Sequence, residues 1–350
     1  MTHGTESHGS GREKQRPDAG IAIIYAAVFL LSSLWFVSLA IDMGKLMATK
    51  TQLQNAADAA ALAGASALDP QTGIIQQDLA RSRAAAAAAA NKAYEELLTP
   101  VTIDPSTDVE FPSLQRVRVH VHREAATGNP MITQFAQTVG LLSLNVRAVA
   151  TAEAKVLNSV CQGLAPFAPQ ELPNGAQFST DCSVEYILRQ SAGNGQQGNY
   201  QLLRYPDCGE DTFTGGGGAA IRQYTLYGYK CCELIGQMIE VQTKTGVTVG
   251  PLRQALQARW DQDTDRRSNI CYQQYTGNGK RVFITPIIES FNVNGTSWVK
   301  VKSFAAFFLK QRPSGGGQMD LTGQFIKYVA PGDFGTGNEN SGVYGIHLVE

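Results

Sequence analysis

The 350-residue chain is poor in charged residues and has almost no net charge. Lys and Arg number 29 and Asp and Glu 30, which gives a formal net charge of -1. General nucleic-acid binders are usually strongly basic, so we expect no nucleic-acid partner. With 17% charged and 43% hydrophobic residues, the composition excludes a wholly disordered chain, a coiled-coil rod, a collagen and a polytopic membrane protein.

Recognisable catalytic motifs are also missing. The chain has 5 histidines, and no Ser-His-Asp or Cys-His arrangement can be identified among them. The GGGG run at residues 215–218 lacks the Lys-Ser/Thr that follows in a phosphate-binding loop. We therefore predict a protein that is not an enzyme and has neither a cofactor nor a small-molecule substrate. An extracytoplasmic hydrolase is kept as an alternative.

One long segment near the N-terminus contains no charge at all. It runs from Ile21 to Ile41. As a helix it would be about 31 Å long at 1.5 Å per residue, which matches the hydrocarbon core of a bilayer. The sequence predicts a transmembrane helix at 21–41. A cleaved signal peptide remains an alternative, since Ser38 and Ala40 would suit a signal-peptidase site. A buried core helix is a second alternative.

The cysteines lie on one side of this span. An even number of cysteines without C-x-x-C spacing is typical of disulfides in an oxidising compartment, although unpaired thiols in a cytosolic domain remain open. Three basic residues before the span, against two soon after it, favour an N-terminus inside. We expect a bacterial inner- or plasma-membrane protein with residues 1–20 cytoplasmic and the rest outside. The disulfide candidates, whose pairing the sequence leaves open, are Cys161, Cys182, Cys208, Cys231, Cys232 and Cys271.

Beyond the span the sequence continues with helical periodicity. Apolar and small residues recur at spacings of three and four from Met43 onward, so the span and its continuation should form one rod that ends by Asp69, before Pro70. Small side chains allow close approach of another backbone. The predicted contact seam, within the protein or with a partner, consists of Leu53, Ala57, Ala60, Gly64 and Ala67.

This region resembles the N-terminal region of TadG-like proteins, relatives of TadE and TadG in the Tad (Flp) pilus-assembly family. The resemblance rests on the Arg16…Gly20 entry, the uncharged span, Asp42-Met43-Gly44 and the LQNAADAAALAGA run that ends at Ala65. It implies a single-pass envelope protein that acts in pilus assembly or surface attachment, with the membrane and pilin-like or other pilus-assembly proteins as partners.

Two family features are not matched. Processed prepilin-like relatives carry Glu five residues after the cleavage-site Gly, whereas Tyr25 stands in that position after Gly20. Longer TadG-like proteins carry a von Willebrand A domain with an Asp-x-Ser-x-Ser metal motif, which this chain lacks. Neither processing at Gly20 nor that metal site is therefore expected here.

The rest of the chain predicts an α+β fold in two regions. Residues 42–157 should form the helical stalk and a small pilin-like α+β layer, and residues 158–350 a mostly β disulfide-bonded domain. Helices are predicted at 72–98, 131–139 and 251–260, with Pro251 at the first position of the last. The predicted strands are 116–122, 144–155, 282–291, 298–310 and 324–329, and Asn294-Gly295 indicates a hairpin between two of them.

A second function remains open at an acidic run. Asp261, Asp263 and Asp265 alternate as the carboxylates of a calcium loop do. Arg266 replaces the usual Gly, and Tyr272 stands where the closing Glu belongs. We expect no bound metal, and keep a calcium-assisted extracytoplasmic binding protein or adhesin, unrelated to pilus assembly, as the alternative function.

Overall fold

A computed structural model describes residues 18–69, 76–93, 100–189, 200–209, 217–241, 245–289, 297–314, 319–335 and 342–349. The α-helices in these ranges are α1 (Asp18–Ala65), α2 (Gln77–Ala90), α3 (Gly217–Tyr227) and α4 (Thr245–Gln262). α1 has 48 residues, so it is about 72 Å long at 1.5 Å per residue. The predicted continuous rod is confirmed; it ends at Ala65.

Short strands dominate the part of the chain that follows α2. The first eight are β1 (Val109–Ser113), β2 (Arg116–Arg123), β3 (Met131–Ile132), β4 (Ser143–Leu144), β5 (Val146–Val156), β6 (Ser159–Cys161), β7 (Phe167–Pro169) and β8 (Tyr186–Arg189). The others are β9 (Tyr200–Arg204), β10 (Cys232–Leu234), β11 (Met238–Val241), β12 (Val282–Ile288), β13 (Ser297–Leu309), β14 (Asp320–Ile326), β15 (Tyr328–Val329) and β16 (Val343–Leu348). The predicted α+β class is confirmed.

A five-stranded sheet packs against the second half of α1. Its order is β1-β2-β5-β16-β15, and its pairs are antiparallel except for β15 with β16. Alternate residues of β2 and β5 face the helix, as the period of two requires: the buried ones include Val117, Val119 and Val121 on β2 and Ala148, Ala150 and Ala152 on β5. The alanines on β5 let α1 lie close to the sheet.

β16 comes from the far end of the chain. It pairs with β5 from Tyr344 opposite Val156 to Leu348 opposite Ala152. The Tyr344 hydroxyl donates a hydrogen bond to the backbone oxygen of Ser66, at 2.8 Å. The sheet around α1 is therefore completed by residues 343–348, which lie in the range 158–350 that the sequence assigned to the second region.

A larger sheet forms the mostly β domain. Its order is β7-β9-β11-β13-β14-β8, and β12 also pairs with β13. The long β13 pairs with β11 at its start and with β12 and β14 further along. The predicted antiparallel pairing of the two strands around 282–310 is confirmed, while the predicted turn at Asn294-Gly295 lies outside the described residues.

The second predicted helix is shorter than expected. Helix was predicted over 72–98, and α2 covers Gln77–Ala90; residues 72–75 and 94–98 lie outside the described residues. Asn91 is extended, and its side-chain Nδ2 donates to the backbone oxygen of Ala87 at 2.8 Å. This contact satisfies a carbonyl at the helix end, and Asn91 is the C-terminal cap of α2.

The predicted helix at 131–139 is wrong except for its last turn. Met131 and Ile132 form β3, which pairs with β4, and a single 3-10 turn covers Ala136–Val139. Gly140 caps that turn with a φ of 87°. The pairing of β3 with β4 overrides the local helical spacing.

Helix α4 begins earlier than predicted. It starts at Thr245, so Pro251 lies inside it and not at its first position. Proline removes one backbone hydrogen bond from a helix interior. The helix tolerates this loss because Leu252, Leu256 and Trp260 form a buried face.

Candidate functional site

The first half of α1 exposes apolar side chains on all sides. Between Ile21 and Ile41 the exposed fraction of the large apolar side chains ranges from 42% at Ile41 to 75% at Phe36. Among the described residues, α1 is the one helix long and apolar enough to cross a membrane. A helix at a protein surface in water normally buries its apolar stripe. This surface therefore suits an apolar surrounding.

The serine hydroxyls within the apolar half are satisfied by the helix itself. The hydroxyls of Ser32 and Ser33 donate to the backbone oxygen of Phe29 at 2.9 and 2.8 Å, and that of Ser38 donates to Leu34 at 2.7 Å. Lipid offers no hydrogen-bond partners, so hydroxyls in a span must be paired within the protein. These three meet that condition.

Asp42, the residue after the span, holds a distant loop against α1. It is 2% exposed. Its carboxylate accepts backbone N–H bonds from Gln134 at 3.0 Å, Phe135 at 2.9 Å and Ala136 at 2.7 Å. Burial alone would favour the neutral acid, but the three N–H groups together hold the pKa of Asp42 below its ordinary 3.8. The charged carboxylate thus fixes residues 134–136 at the end of the span.

The small residues of α1 lie in the interior of this chain. Leu53, Ala57 and Ala60 are fully buried and Gly64 is buried, while Ala67 lies just past the helix end and is 8% exposed. A Cβ on Gly64 would lie 3.1 Å from Val117 Cγ1, so even a methyl group would be tight here. Nearer the span, Met43 and Lys50 are exposed, whereas Leu46 is partly buried and packs against the same core.

Helix α2 covers part of this face. Its alanines Ala80, Ala84 and Ala88 are fully buried. Nη1 of Arg83 on the same helix donates to the backbone oxygen of Ser66 at 2.9 Å and to its hydroxyl at 2.8 Å. The contact face between Leu53 and Gly64 is therefore filled by α2 and the five-stranded sheet of the same chain.

The three aspartates of the acidic run are not gathered around a common point. Asp261 is exposed, whereas Asp263 and Asp265 are 1% and 6% exposed. The hydrogen bond from Arg267 is the main reason that the pKa of Asp265 lies well below its ordinary value. Each carboxylate has its own partner: the Arg312 guanidinium for Asp261, the Tyr275 hydroxyl for Asp263 and the Arg267 guanidinium for Asp265.

A buried arginine beside this run was not anticipated from the sequence. Arg281 is fully buried. Its guanidinium donates to the backbone oxygens of Leu309, Asp265 and Arg267, each at 2.9 Å, and lies 4.0 Å from the ring centre of Trp260. The acidic run is thus part of a packed polar cluster. Elsewhere in the described residues, a group of ligand-type atoms at Cys161, Cys232 and Asp333 includes two sulfurs that are bonded to each other.

All six cysteines form disulfides in the mostly β domain. The pairs are Cys161–Cys232, Cys182–Cys271 and Cys208–Cys231. The two adjacent cysteines therefore pair with different partners. The first bond joins β6 to β10, whose residues 161 and 232 lie opposite each other in the strand pair.

Glu233, which directly follows the two adjacent cysteines, has an unusual environment. Its side chain is fully buried, and neither carboxylate oxygen has a hydrogen-bond partner among the described residues. Burial raises the pKa of Glu233 to about 7. A charge here would lack compensation, so the folded protein favours the protonated acid.

We expect Glu233→Gln to stabilise the protein at high pH. With an ordinary pKa of 4.5 and a folded pKa of about 7, only the folded state keeps the proton between these values. The parent should therefore lose stability as the pH rises from 4.5 to 7, and the variant should not. Melting temperatures at pH 4.5 and 8 measure this. The control is Glu240→Gln, whose carboxylate lies beside Arg204 at 3.8 Å; equal pH dependence in parent and Glu233→Gln would contradict the prediction.

Comparison with known proteins gives one match to a family model. Residues 20–67 match the family model described as putative Flp pilus-assembly TadE/G-like. The resemblance predicted from the sequence is confirmed for these residues. They coincide with α1, from the start of the apolar half to the end of the buried small-residue face. No curated protein and no solved structure matches the chain.

Proposed function

We propose that the protein is a single-pass, membrane-anchored component of Tad (Flp) pilus assembly or surface attachment, without enzymatic activity. This proposal is supported by one observation: the TadE/G-like match at 20–67 covers almost the same residues as α1, a single helix whose two halves differ. The first half exposes apolar side chains and the second is built into a folded domain. Residues 1–20 would be cytoplasmic, with the bulk of the chain outside the inner or plasma membrane.

The mechanical role follows from the continuity of α1. A helix without a break passes from the span into the sheet formed by β2, β5 and β16. Movement or load at the outer domain is therefore transmitted to the span through packed backbone. The three disulfides support an oxidising location for the outer domain.

Partners are expected at the exposed half of α1. The face between Leu53 and Gly64 is occupied by the chain itself, so it offers little room to another protein. Lipids and the apolar helices of pilin-like or other pilus-assembly proteins would instead contact the span. We propose no nucleic-acid partner and no small-molecule substrate.

Deletion and complementation test this function. Bacteria that lack the gene should lose piliation or surface attachment, and the full chain should restore it. A version with residues 21–41 replaced by an unrelated apolar helix still anchors the protein but loses any specific contacts of the span with partner proteins. It therefore separates these two roles. Membrane protein that resists alkaline extraction and keeps its original N-terminus is expected. An N-terminus at Ile21 or Ile41, or unchanged piliation after deletion, would contradict the proposal.

We expect Ala60→Leu to destabilise the protein. Ala60 is fully buried where α1 lies close to its own sheet and α2. A leucine there overpacks the contact, at a cost of about 1–3 kcal/mol. Protein level, melting temperature and piliation are the readouts. Ala48→Leu is the matched control, since Ala48 is exposed on the same helix; equal behaviour of the two variants would contradict the close packing.

A further inference from the structure

A second apolar surface lies apart from the span. Residues 131–145 contain no charged residue, although charged residues flank them at Glu124 and Arg147. Four large apolar side chains in this segment are solvent-exposed. They are Ile132 at 55%, Phe135 at 38%, Leu141 at 53% and Leu142 at 67%. We name these four the interfacial patch.

The patch lies at the level where α1 leaves its apolar half. Asp42 follows the last residue of the span and binds the backbone N–H groups of Gln134, Phe135 and Ala136 directly. One helical residue advances by about 1.5 Å. Phe135 is therefore held within one helical turn of the predicted membrane boundary at Ile41.

The direction of the sheet places the rest of the segment at the same end. The Gln54 side-chain Nε2 donates to the backbone oxygen of Val149 at 3.0 Å, while Val117, which pairs with Ala152, faces Gly64. Thus β5 runs away from the span as its residue numbers rise. Its start at Val146 lies about 10 Å nearer the span than Val149, and residues 131–145 join it there.

The segment is folded and not a loose loop. Met131 is fully buried and lies opposite Leu144 in the pair of β3 with β4. The backbone N–H of Thr133 donates to Leu142 oxygen at 3.2 Å, and its hydroxyl donates to Leu141 oxygen. The exposed side chains are thus presented by a fixed backbone.

We propose that the interfacial patch rests in the lipid headgroup region of the membrane that α1 spans. This rests on the proposed function, since it requires the span to be in a bilayer. We expect lipid to contact the patch because the patch lies beside the end of the span. It also lacks charge and exposes aliphatic and aromatic side chains, which partition into the membrane interface. With the span it provides two attachments, which fix the angle and rotation of the outer domain on the membrane.

A photoactivatable probe carried on lipid acyl chains tests the patch in the unsubstituted full chain. The protein is reconstituted into nanodiscs of phosphatidylcholine and phosphatidylglycerol, labelled and digested with trypsin. Cleavage after Arg123 and Arg147 releases the patch peptide 124–147, and cleavage after Lys92 and Arg116 releases the comparison peptide 93–116. The latter contains Leu114, which is 58% exposed at the far end of the sheet.

We expect labelling of the patch peptide several-fold above that of the comparison peptide, together with strong labelling of the span peptide that ends at Lys45. A labelled span with equal labelling of the other two peptides would contradict the proposed lipid contact of the patch, but not the proposed membrane anchor. An unlabelled span would contradict the proposed anchor itself, and the patch with it.

Single tryptophan substitutions give residue-level resolution. The added emission of Leu142→Trp, relative to the parent, should be quenched by lipids brominated on the acyl chains near the headgroup. Leu114→Trp is the matched control, because it is similarly exposed but distant from the span, and its added emission should not be quenched. Equal quenching of Leu142→Trp and Leu114→Trp, or quenching of neither variant, would contradict the proposed lipid contact of the patch.

Discussion

Reduction of the three disulfides should lower the melting temperature of the mostly β domain by about 20 °C or more. The bonds close loops with sequence separations of 71, 89 and 23 residues. Loops of these lengths contribute about 3 to 4.5 kcal/mol each through restriction of the unfolded chain. A change of 1 kcal/mol shifts the melting temperature of a domain this size by about 2–4 °C, so the combined loss is large.

Paired substitutions separate the bonds. Cys182→Ser with Cys271→Ser opens the longest loop, and Cys208→Ser with Cys231→Ser opens the shortest. The first pair should destabilise the protein more, by about 1 kcal/mol, because the entropy of loop closure grows with the logarithm of loop length. Calorimetry of the full chain in nanodiscs, with and without reductant, measures both effects. Six free thiols in a mass spectrum taken without reductant would contradict the prediction.

The elements that the sequence predicted correctly are those governed by local periodicity. α1 combines an uncharged run with small residues at helical spacing, and its whole length is helical. β2 and β5 alternate polar and apolar residues, and both are strands. In each case, residues that are neighbours in the sequence determine the structure, so a single sequence is enough to predict the element.

The elements that were missed depend on residues far apart in the sequence. The segment at 131–139 has helical spacing, yet its N–H groups bind Asp42, about 92 residues earlier. β16 pairs with β5, which lies almost 200 positions before it. Neither contact leaves a local signature, because it is fixed by packing between distant elements.

The chemistry of the acidic run shows the same limit. Alternating carboxylates fit a calcium loop by spacing alone, but spacing does not give the direction of each side chain. Arg267 and Arg312 bind two of the three carboxylates. The presence of adjacent arginines was visible in the sequence, whereas the Tyr275 bond to Asp263 and the buried Arg281 were not.

Asp42→Ala should release residues 134–136 from α1. The substitution removes an ionised acceptor of three backbone N–H bonds in a site that is 2% exposed. Hydrogen bonds to charged groups contribute about 1.5–3 kcal/mol each. Since the released N–H groups can regain water once the segment moves, we expect a total loss of about 2–4 kcal/mol. Hydrogen exchange of the amides at 134–136 should accelerate accordingly.

The effect also has a defined pH dependence. The folded pKa of Asp42 lies below its ordinary 3.8, so the charged form is the stabilising one. Its contribution is complete above the ordinary pKa and is lost as the pH falls through the lower folded value. The difference in exchange between parent and Asp42→Ala should therefore be constant at neutral pH and shrink only in strong acid.

Asp58→Ala is the matched control for this prediction. Asp58 lies on the same helix, is only partly buried, and accepts a bond from the Gln54 side chain at 2.8 Å. Such a pair one helical turn apart contributes a few tenths of a kcal/mol, so exchange at 134–136 should not change. If Asp42→Ala left these amides as protected as Asp58→Ala does, the segment would be held by its own β3–β4 pairing and not by the carboxylate. The interfacial patch would then lose its fixed height above the span.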